Sequence, residues 1–151
     1  MFDALRQAFQ EAVQNFRTEL NRDQVPEAAD ALIRTMEREL VEARVILDRL
    51  EKELEETRKE AAREEEELRA CLRREELARR IGDAETEEVA RSFAARHLQR
   101  KDVLEDKIRV LERELADRRG EVEEMTGQLK GARTRREAMA AQAGRAGARG
   151  R

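Results

Sequence analysis

Side chains that commonly do chemistry are scarce in this sequence. It holds one cysteine, Cys71, one histidine, His97, and one serine, Ser92, with no tyrosine or tryptophan. A thiol beside an imidazole can make a nucleophile, and both can ligate zinc, but a triad or a zinc site needs further groups that single copies do not supply. Ser92 has no Gly-x-Ser-x-Gly turn around it. The seven glycines are scattered or fall near the C-terminal end, so no glycine-rich phosphate loop forms. Carboxylates are abundant, yet a catalytic one needs a walled, desolvated pocket to shift its affinity for protons. The sequence therefore predicts no catalytic residue, cofactor, metal or small-molecule substrate.

The elements that carry these residues follow from composition. Of 151 residues, 44% are charged, 39% are apolar and 3% are aromatic, and 32 basic against 35 acidic side chains leave a net charge of −3. Disorder is favoured by high net charge with low hydrophobicity, and here the charge nearly cancels. So much charge with so few bulky apolar side chains suits an elongated helical rod, which needs only a narrow apolar seam. No apolar run exceeds about four residues, so the sequence predicts neither a membrane span nor a secretory signal. An unpaired thiol fits the intracellular location that this implies.

Residues 1–24 read as a short amphipathic helix. Phe2, Leu5, Phe9, Val13, Phe16 and Leu20 recur every three or four positions along one stripe. Two readings stay open: the stripe packs on the rest of the rod, or it enters a membrane interface. Arg6, Arg17 and Arg22 are matched by Asp3, Glu11, Glu19 and Asp23, so membrane binding would rest on apolar insertion.

The single proline, Pro26, suits the first turn of a second helix that runs to about Ile81. Gly82 then supplies a left-handed stop and Asp83 an N-cap for a third helix, from Ala84 to about Ala140. Two helices of about 55 residues, each roughly 80 Å long, joined by two residues predict an antiparallel hairpin. Residues 26–141 form this hairpin, with its tip at 82–83. Alternating steps of three and four define its seam. The first arm carries Ile33, Met36, Leu40, Ala43, Leu47, Leu50, Leu54, Thr57, Ala61, Glu64, Leu68, Cys71, Glu75 and Ala78. The second carries Ala90, Ala94, His97, Lys101, Leu104, Ile108, Leu111, Leu115, Arg118, Val122, Met125, Leu129, Ala132, Arg136 and Met139. This is a coiled-coil repeat, flanked by pairs four apart such as Glu55–Lys59, Glu105–Arg109 and Glu114–Arg118. A turn centred at 82–83 makes facing residue numbers add to 165. Leu54 then faces Leu111, Leu50 faces Leu115, Met36 faces Leu129, and Glu64 meets Lys101 in a polar layer that selects register. Cys71 reads as apolar filler, His97 as a partly solvated seam residue, and Glu64–Glu67 as solvated surface.

Val41, Val45, Ile46, Leu72, Phe93, Val103 and Val110 lie off the seam and predict lateral contacts with other subunits. Gly120, Gly127 and Gly131 weaken the last third of the second arm, which is expected to bend or fray there. Residues 142–151 read as a basic disordered tail carrying Arg145, Arg149 and Arg151. Residues 130–151 hold seven basic side chains and one acidic, so attraction to anionic lipid, nucleic acid or an acidic subunit surface is the alternative to a merely solubilising role.

The order of these parts resembles the phage-shock protein A family, bacterial members of the ESCRT-III-like membrane-remodelling superfamily. The resemblance rests on the Phe-bearing N-terminal helix, the Pro26 break, Met36-Glu37-x-x-Leu40-Val41-Glu42-x-Arg44, and Glu87-Glu88-Val89-Ala90-Arg91 followed by Phe93 and Ala94. It implies an all-α, non-enzymatic, stress-response scaffold, cytoplasmic and peripheral on the inner face of the plasma membrane. Residues 1–24 would meet anionic or stressed membrane, and residues 27–140 would assemble with copies of the chain. Some members also restrain a AAA+ transcription activator through the hairpin. The family continues into further helices that this sequence is expected to lack, so co-assembly with a longer paralogue is a further expectation. A coiled-coil adaptor that never touches lipid is the alternative function, and nucleic-acid binding by the Arg tail a third.

Overall fold

The computed structural model describes residues 2–22 and 26–149, with the side chains of 19–22, 26, 143 and 146 outside the described set. The described residues form three helices: α1 (Phe2–Arg22), α2 (Pro26–Arg80) and α3 (Ala84–Arg149). The fold is all-α, and α2 and α3 form a long antiparallel hairpin. Contacts divide it into two units. Unit 1 comprises residues 1–48 and 117–151, and unit 2 comprises residues 49–116.

Unit 1 is a three-helix core. Its buried cluster joins Phe2, Phe9, Ala12 and Phe16 of α1 with Ile33, Met36, Leu40 and Ala43 of α2 and with Val122, Met125, Leu129 and Ala132 of α3. Phe9, Met36 and Ala43 are completely buried. Ile46, an expected lateral contact, instead packs partly buried against this cluster together with Leu32 and Leu47. The third helix covers the side of α2 on which Ile46 lies.

Unit 2 has a two-helix seam. Leu54, Thr57, Cys71, Ala78, Ala90, Ala94, Leu111 and Leu115 are buried, while Leu50, Leu68, Leu104 and Ile108 are half-buried. Thr57 sits in this seam with its hydroxyl donating to the Glu53 carbonyl at 2.7 Å, which satisfies the one polar group that its burial would strand. Two helices touch along a line, so residues either side of the seam stay wet.

The tip lies within unit 2. Gly82 has φ of 75°, a left-handed conformation that costs a residue with a Cβ about 1–2 kcal/mol. Its N–H donates to the Arg79 carbonyl at 3.2 Å, and the Asp83 N–H reaches back to Ala78 at 2.9 Å. This pair of bonds is the Schellman closure of a helix C-terminus. Asp83 then opens α3, its carboxylate accepting from the Thr86 backbone N–H at 3.1 Å and from the Thr86 hydroxyl at 2.6 Å. Those bonds hold the Asp83 carboxyl below the usual carboxylate range.

One expectation about α3 differs from the structure. The helix does not stop near Ala140: it runs on to Arg149, across most of the stretch expected to be disordered, whereas Gly150 and Arg151 lie outside the described residues. Alanine and arginine fill eight of the twelve positions 138–149, and both are strong helix formers that offset two glycines. The helix also passes through Gly120, Gly127 and Gly131 unbroken.

Candidate interaction interface

The α1 stripe occupies a groove of its own chain. Phe2, Phe9 and Phe16 are 5%, 0% and 2% exposed, and Leu5 and Val13 are half-buried; the side chain of Leu20 is not among the described ones. Of the two readings open for this stripe, packing on the chain's own helices is the arrangement seen here. The cause is simple: an apolar stripe that would otherwise face water gains roughly 1.5–3 kcal/mol per buried large side chain, and the α2–α3 groove is available within unit 1.

Polar fasteners hold the N-terminal end of α1. Arg118 bonds Glu121 at 3.0 Å and Asp3 at 3.4 Å, and its guanidinium carbon lies 4.4 Å from the centre of the Phe2 ring. Burial opposes the Arg118 charge, but the Glu121 and Asp3 carboxylates outweigh it and raise its affinity for its proton. Arg6 reaches Glu121 at 3.4 Å. The sequence pairing of Glu114 with Arg118 gives way to these partners because α1 brings Asp3 to the same place.

At the other end of α1, Val13, Phe16, Arg17, Met36, Gln128 and Arg135 line a cleft of about 110 Å³. The larger groove of unit 1, about 860 Å³, is open and runs along α2 from Ala31 to Glu42. Its outward Val41 is 59% exposed. Further along the helices, Arg136 clasps Asp30 through two bonds at 2.7 and 3.1 Å, which lowers the Asp30 proton affinity, and Arg133 reaches Glu37 at 2.9 Å.

The polar layer of unit 2 is built differently from the expected Glu64–Lys101 pair. Glu64 meets His97 at 2.5 Å, while Lys101 bonds Glu65 at 2.5 Å and Glu105 at 3.7 Å. Lys101 pulls the Glu65 carboxyl down, and Glu65 raises Lys101 in turn. Long side chains reach a turn up or down the seam, so an opposed pair in register need not be the bonded pair. Glu64 and Glu65 are consequently half-buried, leaving only Glu66 and Glu67 of the acidic run exposed. Among the flanking pairs, Glu55–Lys59 is present at 3.3 Å, whereas Arg109 bonds Asp106.

A charge cluster braces the tip beyond what the sequence reading singled out. Arg79 bonds Glu75, Glu76 and Glu87 at 3.2, 3.0 and 3.1 Å, and Arg91 bonds Glu75, Glu87 and Glu88 at 3.2, 3.1 and 3.2 Å. Its signal was present as Glu75–Arg79 and Glu87–Arg91, two pairs four apart that the turn brings face to face. The tail arginines Arg145 and Arg149 are exposed.

Among the described residues no group of three or more His, Cys, Asp and Glu side chains could hold a metal ion, and no helix is long and apolar enough to cross a membrane. The fold and these surfaces define an all-α hairpin protein with a docked amphipathic helix. No protein-family profile, curated protein or solved structure matches the chain.

Proposed function

We propose that the chain is a non-enzymatic membrane-associated scaffold of the phage-shock type, which assembles with itself or a longer paralogue and stores its membrane contact against unit 1. The observation that carries this reading is the phenylalanine stripe of α1, spaced at seven-residue intervals and held mainly by apolar contacts. A bilayer interface offers the same rings an equivalent apolar environment. Release therefore exchanges one burial for another, and the polar fasteners to be broken are long and partly exposed. Restraint of a AAA+ activator through the hairpin extends the proposal. A basic face of Arg145 and Arg149 adds electrostatic attraction to anionic headgroups.

The second reading is a coiled-coil adaptor in which α1 never leaves. Complete burial of Phe9 favours it, because a fully enclosed ring is costly to withdraw. The absence of tryptophan from the chain permits a direct test. Phe2→Trp places one reporter on the stripe. On vesicles of phosphatidylcholine with phosphatidylglycerol, quenching by brominated acyl chains is the result expected of the scaffold. Unquenched emission, unchanged from the vesicle-free protein, selects the adaptor.

A further inference from the structure

Unit 2 carries a second repeat beside its seam. Val89, Phe93, Val103 and Val110 fall on steps of four and three one position before successive seam residues of α3, and they are 50%, 48%, 62% and 65% exposed. The three intervening positions of that stripe are Arg96, Arg100 and Lys107, all exposed. Every polar place on it is basic. Arg96 lies 5.5 Å over the Phe93 ring, and Lys107 bonds Glu53 at 3.3 Å. Glu53 is also one position before a seam residue, so the two stripes border one face of the hairpin.

The α2 side of that face has the opposite character. Glu56, Glu60 and Glu67 are exposed there, and Leu77, 60% exposed, lies toward the tip. Arg63 and Arg74 interrupt the acids. In unit 1 Leu32, Ile46, Glu121 and Gln128 of the corresponding register are half-buried beneath or beside α1, whereas Glu42 and Glu124 are exposed. The same register side is thus partly covered by α1 in unit 1 and left open in unit 2.

We infer that this face of unit 2 docks on the same face of a second copy, giving a four-helix bundle with a two-fold axis along the hairpin and both tips at one end. The axis sets α3 of each copy over α2 of the other. Val89 then meets the partner copy's Leu77 position, Arg96 and Arg100 approach its Glu67, and Lys107 approaches its Glu56 and Glu60. Phe93 falls opposite Ala70 and Arg74 of the second copy and Val103 opposite its Arg63, so the ring and methyls pack on arginine stems while the remaining places pair by charge. The face sets Arg63, Arg74, Arg96, Arg100 and Lys107 against Glu53, Glu56, Glu60 and Glu67, so its charge nearly cancels and gives anionic headgroups little net attraction. The inference names the surface for the self-assembly proposed above, and it holds whether or not α1 meets lipid.

Light scattering and sedimentation of the full chain test it. Wild type is expected to be dimeric, and Phe93→Lys/Val103→Lys, which sets cations against Arg74 and Arg63 of the second copy, to weaken dimerisation at least tenfold without changing helical content. Arg96→Glu/Arg100→Glu and Glu67→Lys should each be monomeric alone and dimeric when mixed, since the mixture restores the contact of positions 96 and 100 with position 67 on both sides of the axis. A monomer at all concentrations, a dimer indifferent to Phe93→Lys/Val103→Lys, or charge variants that fail to rescue one another would each overturn it. Vesicle flotation lost in Phe93→Glu/Val103→Glu while the wild type stays monomeric would assign the face to lipid instead.

Discussion

Unit 1 and unit 2 use the same two helices and reach different interiors. In unit 1 a third helix roofs the hairpin, and phenylalanine, methionine and leucine side chains are enclosed from three sides. In unit 2 the buried set near the tip shrinks to Cys71, Ala78, Ala90 and Ala94, while Leu72, Leu77, Ile81, Val89, Phe93, Leu98, Val103 and Val110 remain exposed. A helical pair can bury one line of side chains. Bulky residues are enclosed only where another helix covers a second line, and where none does they mark a surface waiting for one.

That contrast can be broken by mutation, beginning with the largest effect. Phe9→Ala should cost about 3–5 kcal/mol in urea unfolding, the range for emptying an enclosed aromatic site. Leu111→Ala in unit 2 should cost about 2–3 kcal/mol, the lower part of the range for a core leucine, because water already reaches the edge of its seam. Equal costs for the two would show that unit 2 is enclosed as fully as unit 1. Gly82→Ala should lose about 1–2 kcal/mol through its left-handed backbone, measurable as faster hydrogen exchange in residues 78–87. Gly127→Ala should gain about 1 kcal/mol, since an added Cβ meets nothing within 4 Å.

The smallest effect is on pH. Asp30, Glu65 and Asp83 are held below their ordinary values by Arg136, Lys101 and Thr86 respectively. A lowered carboxylate contributes stability above its unfolded value, and that contribution is lost as pH falls through the folded value. The melting temperature should therefore decline gently below about pH 4, and the decline should shrink in high salt because the pairs are only half-buried and open to solvent. A melting temperature that is flat down to about pH 2 would remove these pairs from the account.

Much of the fold was legible because a coiled-coil repeat is a local signal. Met36, Leu40, Val122, Met125 and Leu129 announce their burial by spacing alone, and Gly82-Asp83 carries both helix caps in two residues. The destination of the α1 stripe was not legible, since a phenylalanine row has the same pattern whether a bilayer or a protein groove receives it. The partner of Glu64 was hidden for another reason. Facing positions fix backbones, but His97 and Lys101 both lie within reach, and only three-dimensional packing chooses between them. The continuation of α3 past Ala140 depended on a near balance between Ala-rich helix propensity and the glycine penalty.

Hydrogen exchange across unit 1, with and without anionic vesicles, tests the central claim most directly. A stored α1 predicts slow exchange over residues 3–18 in the free protein, and vesicles should then speed exchange over residues 33–43 and 122–132 as the covering helix departs. Fast exchange throughout α1 in the free protein would contradict the claim, because a helix that never docks has nothing to release.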